Sequence, residues 1–229
     1  MNIDRLRHNL DDVQRRIRAA AGRAGRPESS VRLLPVTKTV DCETIEMLAG
    51  LGFSSVGENR VQAGERKRGE LPETIRLEMI GHLQRNKVRK ALPVFDRLHA
   101  VDSIRLAEAV DTQVEKLGLA PMPVLFEVNV SGEEAKWGFT PEALREAFNR
   151  LAHLEHLRIE GLMTMAPFVD DPEQVRGVFR GLRELRDELA GRGFAGVTLR
   201  ELSMGMSQDF EIAVEEGATM VRVGSAIFS

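Results

Sequence analysis

The sequence predicts an α/β fold: a single (β/α)8 TIM barrel with an extra N-terminal helix, forming one domain over residues 1–229. Three observations lead there. Short apolar runs alternate with helix-periodic segments in about eight units, without a second composition regime. The connections are long enough for crossover helices, which makes the sheet parallel. After the first strand come Thr37-Lys38-Thr39-Val40 and no dinucleotide-type glycine fingerprint, so a closed barrel is favoured over an open nucleotide-binding sheet.

Residues 2–24 read as a helix, because Ile3, Leu6, Leu10, Val13, Ile17 and Ala20 recur at spacings of three and four. Its basic side (Arg5, Arg15, Arg16, Arg18, Arg23) reads as a solvated face, since Asp4, Asp11 and Asp12 share the helix. The first strand is Val31–Thr37, followed by a helix over Cys42–Leu51 that stops at Gly52. Phe53–Val56 is the second strand, with Gly57-Glu58-Asn59 and a polar helix to Gly69 behind it. Ile75–Ile80 and a helix over Gln84–Ala91 form the third unit; Arg97–Val101 and a helix over Ile104–Leu117 form the fourth. The fifth strand, Pro123–Val130, leads to a helix opening at Thr140-Pro141-Glu142, with Thr140 as N-cap and proline in the favoured first position. Leu157–Met163 with a helix over Pro172–Ala190, Leu199–Met204 with a helix over Ser207–Glu216, and Met220–Val223 with Gly224–Phe228 complete the eight.

Composition excludes several classes. Hydrophobic residues make up 42% and charged residues 29%, the mix of a soluble globular chain. A net charge of -3 gives no basic field for nucleic acid, and the lone Cys42 excludes an intrachain disulfide framework. The N-terminal residues lack the apolar core of a signal peptide, and no apolar run approaches a membrane span, so the expected location is cytoplasmic with no membrane partner. No residues stand out as metal ligands. The basic run Arg85-Asn86-Lys87-Val88-Arg89-Lys90 reads as a solvated helix face.

Function in such barrels sits at the C-terminal strand ends. There the chain places Lys38, then Glu58 and Asn59, His82, Asp102 and Ser103, Asn129 with Ser131 and Gly132, Met163 and Thr164, Ser203 with Gly205 and Ser207, and Arg222 with Gly224 and Ser225. Lys38 alone among the lysines ends a strand-like apolar segment, where lost solvation makes an amine nucleophilic toward an aldehyde. Ser203-Met204-Gly205-Met206-Ser207 and Val223-Gly224-Ser225-Ala226 each hand a strand to a helix with hydroxyls and glycine, a setting suited to phosphate. Arg222 alternates with two valines and so points inward, either to an ion pair with Glu58 or Glu127 or to an acceptor on a ligand. An amine, a phosphate site and an inward donor together suggest pyridoxal 5′-phosphate (PLP): Lys38 forms a Schiff base, the two loops take the phosphate and Arg222 meets the pyridine nitrogen. The loop Ser131–Gly138, with the only tryptophan and Lys136, is a surface loop or a lid.

Leu34–Thr39, Gly57-Glu58-Asn59, Ile80–Lys87, Val101-Asp102-Ser103, Glu127-Val128-Asn129, Gly161–Met165, Leu202–Phe210 and Val221–Phe228 resemble, in order, segments of the YggS/PROSC family of pyridoxal phosphate homeostasis proteins. The resemblance implies a barrel like the N-terminal domain of alanine racemase, with the cofactor on Lys38. It further implies that Ser207, Gly224 and Ser225 hold the phosphate, that Arg222 faces the ring nitrogen, and that Asn59, Ile80, His82, Ser203 and Met204 line the cofactor. Two positions depart from the family: Arg60 stands where an aromatic residue is common, and Phe228-Ser229 where the family commonly ends Ile-Phe-Gly.

The family is one of cofactor storage, delivery or sensing without established catalysis, so no residue is assigned a catalytic role. The composition agrees. Racemisation of this type needs a second acid/base, usually a tyrosine; the chain has none and ends before a second domain could supply one. Apo PLP-dependent enzymes are the expected recipients, and a monomer is the expected state. The competing reading is a PLP-dependent amino-acid racemase or related enzyme of narrow scope.

Overall fold

The computed structural model describes residues 2–194 and 197–229. In chain order the elements are α1 (Ile3–Arg23), β1 (Arg32–Pro35), α2 (Cys42–Gly50), β2 (Ser55–Glu58), α3 (Val61–Glu70), β3 (Arg76–Met79), α4 (Val88–Ala91), β4 (Arg97–Val101), α5 (Ile104–Leu117), β5 (Met122–Glu127), α6 (Pro141–Leu151), β6 (Leu157–Met163), α7 (Arg176–Ala190), β7 (Glu201–Ser203), α8 (Phe210–Glu215), β8 (Met220–Val223) and α9 (Ser225–Phe228). The strands form one parallel sheet ordered β1-β8-β7-β6-β5-β4-β3-β2. The Val36–Gly57 bridge and the Thr37 N–H donating to the Gly57 carbonyl (2.9 Å) join its two edges, linking the residues just beyond the end of β1 to β2. The sheet is thus a nearly closed (β/α)8 barrel, as alternation predicted.

Strand alternation builds two cores. Outward residues such as Leu77, Leu98, Phe126, Leu162 and Val221 join the helices in one continuous apolar layer. Inside lie a small apolar cluster (Ala100, Leu125, Met163) and the buried polar residues Glu78, His99, Ser203 and Arg222. Helix α1 buries Leu6, Leu10, Val13, Ile17 and Ala20 and packs on α8 and α9. Its basic side is not simply solvated: Arg16 and Arg23 pair with Glu211 and Glu215 of α8 at 3.1 and 2.6 Å.

Element boundaries differ where side chains satisfy backbone groups. The helix after β7 begins at Phe210 rather than Ser207, because the Asp209 carboxylate accepts the Met206 N–H (2.6 Å) and holds Met206–Asp209 as a turn. Leu199 adopts φ 40, and the strand starts only at Glu201. The second strand sits two residues later than its apolar run, since Gly52 turns at φ 93 and Phe53 packs before the sheet begins. A 3-10 turn over Arg85–Lys87 replaces the first half of the expected fourth helix. Thr140 caps α6 as expected, its Oγ1 accepting the Ala143 N–H at 3.1 Å.

Candidate functional site

A cavity of about 600 Å³ opens at the C-terminal ends of the strands. It is lined by Lys38, Asn59, Ile80, Ser207, Arg222, Gly224 and Ser225, with Val36, Met165 and Phe228 supplying apolar wall. Seven residues expected from distant parts of the sequence therefore meet in one space. Three others do not line it. His82 sits just outside, its Nδ1 2.9 Å from Asp102 and its ring stacked on Trp137 at 4.2 Å between centroids. Ser203 lies beneath the floor, fully buried. Met204 follows Ser203 and so turns to the opposite face of the sheet, into the outer apolar layer.

Lys38 is exposed to the cavity on the turn after β1. The turn is held from below. Lys67 of α3 donates to the Thr37 carbonyl at 2.6 Å and pairs with Glu58, which also accepts from Thr37 Oγ1 at 3.1 Å. The side chains of Lys67 and Glu58 are 11% and 0% exposed, so this is a buried ion pair and not the polar helix surface that the sequence suggested. Glu58 thus turns toward α3, away from the cavity, and its Oε2 has no partner among the described residues.

Close approach explains two glycines. A Cβ on Gly81 would stand 2.4 Å from the Asn59 carbonyl oxygen, so Gly81 lets two walls of the cavity touch through backbone. Gly205, at φ 93, would meet Ala213 at 2.6 Å; it bends the chain so that Met206, Ser207 and Gln208 reach the cavity. Ser207 Oγ then accepts long hydrogen bonds from the N–H groups of Gly224 (3.4 Å) and Ala226 (3.3 Å). Hydroxyl and amide donors converge at one end of the cavity, a setting that favours an anion.

Arg222 points into the barrel, as alternation predicted. It is buried, and donates from Nη1 to the Ser203 carbonyl (2.6 Å) and Oγ (2.7 Å) and from Nη2 to the Thr164 carbonyl (2.9 Å). It makes no ion pair with Glu58 or Glu127, and its Nε has no protein partner among the described residues. Burial lowers its pKa to about 10, with Glu127 and Asp209 opposing, so at neutral pH it remains a cationic donor. Glu127, at the end of β5, is raised to about 7 by burial and then by the charge of Asp102.

Sequence reading missed Lys67, Glu78 and His99. The signal for the last two was present: Glu78 and His99 sit at alternate positions between apolar residues, which aims them into the barrel. The loop after β5 is tied down, with Asn129 accepting the Gly132 N–H (3.0 Å) and Trp137 resting on His82.

The family model for the alanine racemase N-terminal domain matches residues 1–229. The pyridoxal phosphate homeostasis protein of Aquifex aeolicus is 43% identical over 220 residues, covering 96% of this chain and 95% of the relative. An unknown protein from Bifidobacterium adolescentis, solved as a crystal structure, superposes with a TM-score of 0.91 at 38% identity, covering 100% and 97% of the two chains. PipY of Synechococcus elongatus with PLP bound gives a TM-score of 0.81 at 36% identity, covering 93% and 98%.

Proposed function

The chain belongs to the alanine racemase N-terminal domain family and, within it, groups with the pyridoxal phosphate homeostasis proteins. From that premise we propose that it binds pyridoxal 5′-phosphate and serves intracellular homeostasis of that cofactor by storage, delivery or sensing. The observation that carries the reading is the donor set of one cavity: an amine, convergent hydroxyl and amide donors, and a guanidinium nitrogen left without a protein acceptor. A planar aldehyde with a phosphate and a ring nitrogen fits that set. Its volume of about 600 Å³ suits a small ligand.

When bound, the group supplies an aldehyde carbon that an amine holds covalently and reversibly. Lys38 Nζ makes that bond, a Schiff base. Ser207, Ser225 and the Gly224 N–H bind the phosphate. Asn59 and Ile80 border the ring, with His82, Ser203 and Met204 supporting from behind. Arg222, protonated at neutral pH, donates to the ring nitrogen and leaves it without a proton of its own; this weakens the ring as an electron sink. This favours holding the cofactor over turning over a substrate. Apo PLP-dependent enzymes are the proposed recipients, the cytoplasm the proposed location and a monomer the proposed state. No described helix is long and apolar enough to cross a membrane.

Titration of purified protein with PLP, followed by absorbance, tests the reading. Wild type is expected to develop the shifted band of an amine-bound aldehyde, and Lys38→Ala to leave the free aldehyde spectrum. No spectral change with wild type defeats the proposal.

A further inference from the structure

A chain of buried polar groups runs from the cavity through the barrel to its opposite end. Arg222 Nη1 donates to Ser203 Oγ at 2.7 Å. Ser203 Oγ lies 3.1 Å from His99 Nδ1, and His99 Nε2 lies 2.7 Å from Glu78 Oε2. Glu78 in turn accepts from Arg32 at 2.7 and 3.2 Å and from Arg97 at 3.5 Å. Ser203 and His99 are 0% exposed and Glu78 3%. β4 and β7 are not neighbours in the sheet, so the Ser203–His99 bond spans the barrel interior.

Only one direction of hydrogen bonding is consistent with these partners. Burial raises the Glu78 carboxyl, but hydrogen bonds from His99 and Arg32 outweigh it and hold the group well below the usual range. An ionised carboxylate only accepts, so His99 carries its proton on Nε2. Burial keeps the imidazole neutral, with Arg222 and Arg97 opposing a second positive charge and Glu78 favouring it. Nδ1 is then an acceptor, and the Ser203 hydroxyl proton must point to it. The Ser203 oxygen is left facing Arg222 with a lone pair. The reverse tautomer would set the Nε2 lone pair against a carboxylate oxygen at 2.7 Å.

We propose that Glu78 and His99 are positioning residues for Arg222: acting through Ser203, they fix the guanidinium's orientation and so the strength of its bond to an acceptor nitrogen in the cavity. This rests on the reading that the cavity takes PLP with its ring nitrogen at Arg222. Buried ionic groups seldom stabilise a fold more than apolar residues of similar size. The adjacent Ala100, Leu125 and Met163 show that this interior accommodates apolar packing. A relay maintained across it has its consequence at the end that meets ligand.

The test compares PLP with its 1-deaza analogue, in which a C–H replaces the ring nitrogen. Dissociation constants are measured for wild type, His99→Leu, Ser203→Ala and the double variant, with thermal unfolding of each. His99→Leu is expected to weaken PLP about tenfold, the size of one hydrogen bond to a charged group. The analogue's constant is expected to stay unchanged, and the double variant to lose no more than Ser203→Ala alone. Should His99→Leu not fold, Ser203→Ala carries the same comparison. In the ligand-free wild type, the imidazole nitrogen-15 shifts are expected to show the neutral Nε2–H form. Equal losses for both ligands, no loss for PLP, or the Nδ1–H tautomer overturns the inference alone. Failure of wild type to bind PLP overturns the underlying reading as well.

Discussion

Replacing Glu127 with glutamine should make the ligand-free protein more stable at alkaline pH and leave it nearly unchanged in acid. Glu127 is 3% exposed at the end of β5, beside Asp102 and Arg222. Burial, then the Asp102 charge, raises its carboxyl from 4.5 to about 7, against the pull of Arg222. A group whose folded pKa exceeds its unfolded one stabilises the fold fully below the unfolded value, and that contribution is lost as pH rises through the folded value. The window is therefore about 4.5 to 7. A difference of roughly 2.5 at ~1.36 kcal/mol per pH unit gives a ceiling of about 3 kcal/mol. Glutamine keeps the shape and cannot ionise. Urea unfolding of wild type and Glu127→Gln across this range, with equal m-values as the two-state check, reads the difference. The variant's advantage should grow with pH and level off above the window. An advantage independent of pH, or wild type gaining on the variant as pH rises, would refute the reasoning.

Two further perturbations test the supports of the cavity. Gly81→Ala places a Cβ 2.4 Å from the Asn59 carbonyl, so the backbone must part; a loss of about 1–3 kcal/mol in thermal unfolding is expected, together with weaker PLP retention in the absorbance titration. Unchanged behaviour would contradict the close approach. Lys67→Met removes the cationic partner of the buried Glu58 and leaves only the Thr37 hydroxyl beside it, at an expected cost of about 3–5 kcal/mol in urea unfolding, most of it recovered when Glu58→Gln is added. If the double variant is no more stable than Lys67→Met, the two side chains do not act as a pair.

Alternation made the barrel and much of its site legible. Met220-Val221-Arg222-Val223 is enough to aim Arg222 inward, and the turns after β1, β7 and β8 bring Lys38, Ser207, Gly224 and Ser225 to one cavity. The same period-two rule, applied to Ser203 and Met204, would have sent Met204 outward; resemblance alone names a residue without its direction. Lys67 was illegible for a different reason. Its helix reads Glu-Arg-Lys-Arg-Gly-Glu around it, and its burial depends on Glu58, a strand residue nine positions earlier, turning toward α3. The boundary at Phe210 likewise depends on a side chain, the Asp209 carboxylate, which accepts the Met206 N–H and holds the turn before the helix.

The claim that Lys38 holds the cofactor is tested most directly by trapping the bond. The protein is loaded with PLP, reduced with borohydride and digested, and the peptides are assigned by mass. The account predicts a phosphopyridoxyl group on Lys38. A label on Lys67 or Lys136 in place of Lys38, or none on any lysine, would contradict it.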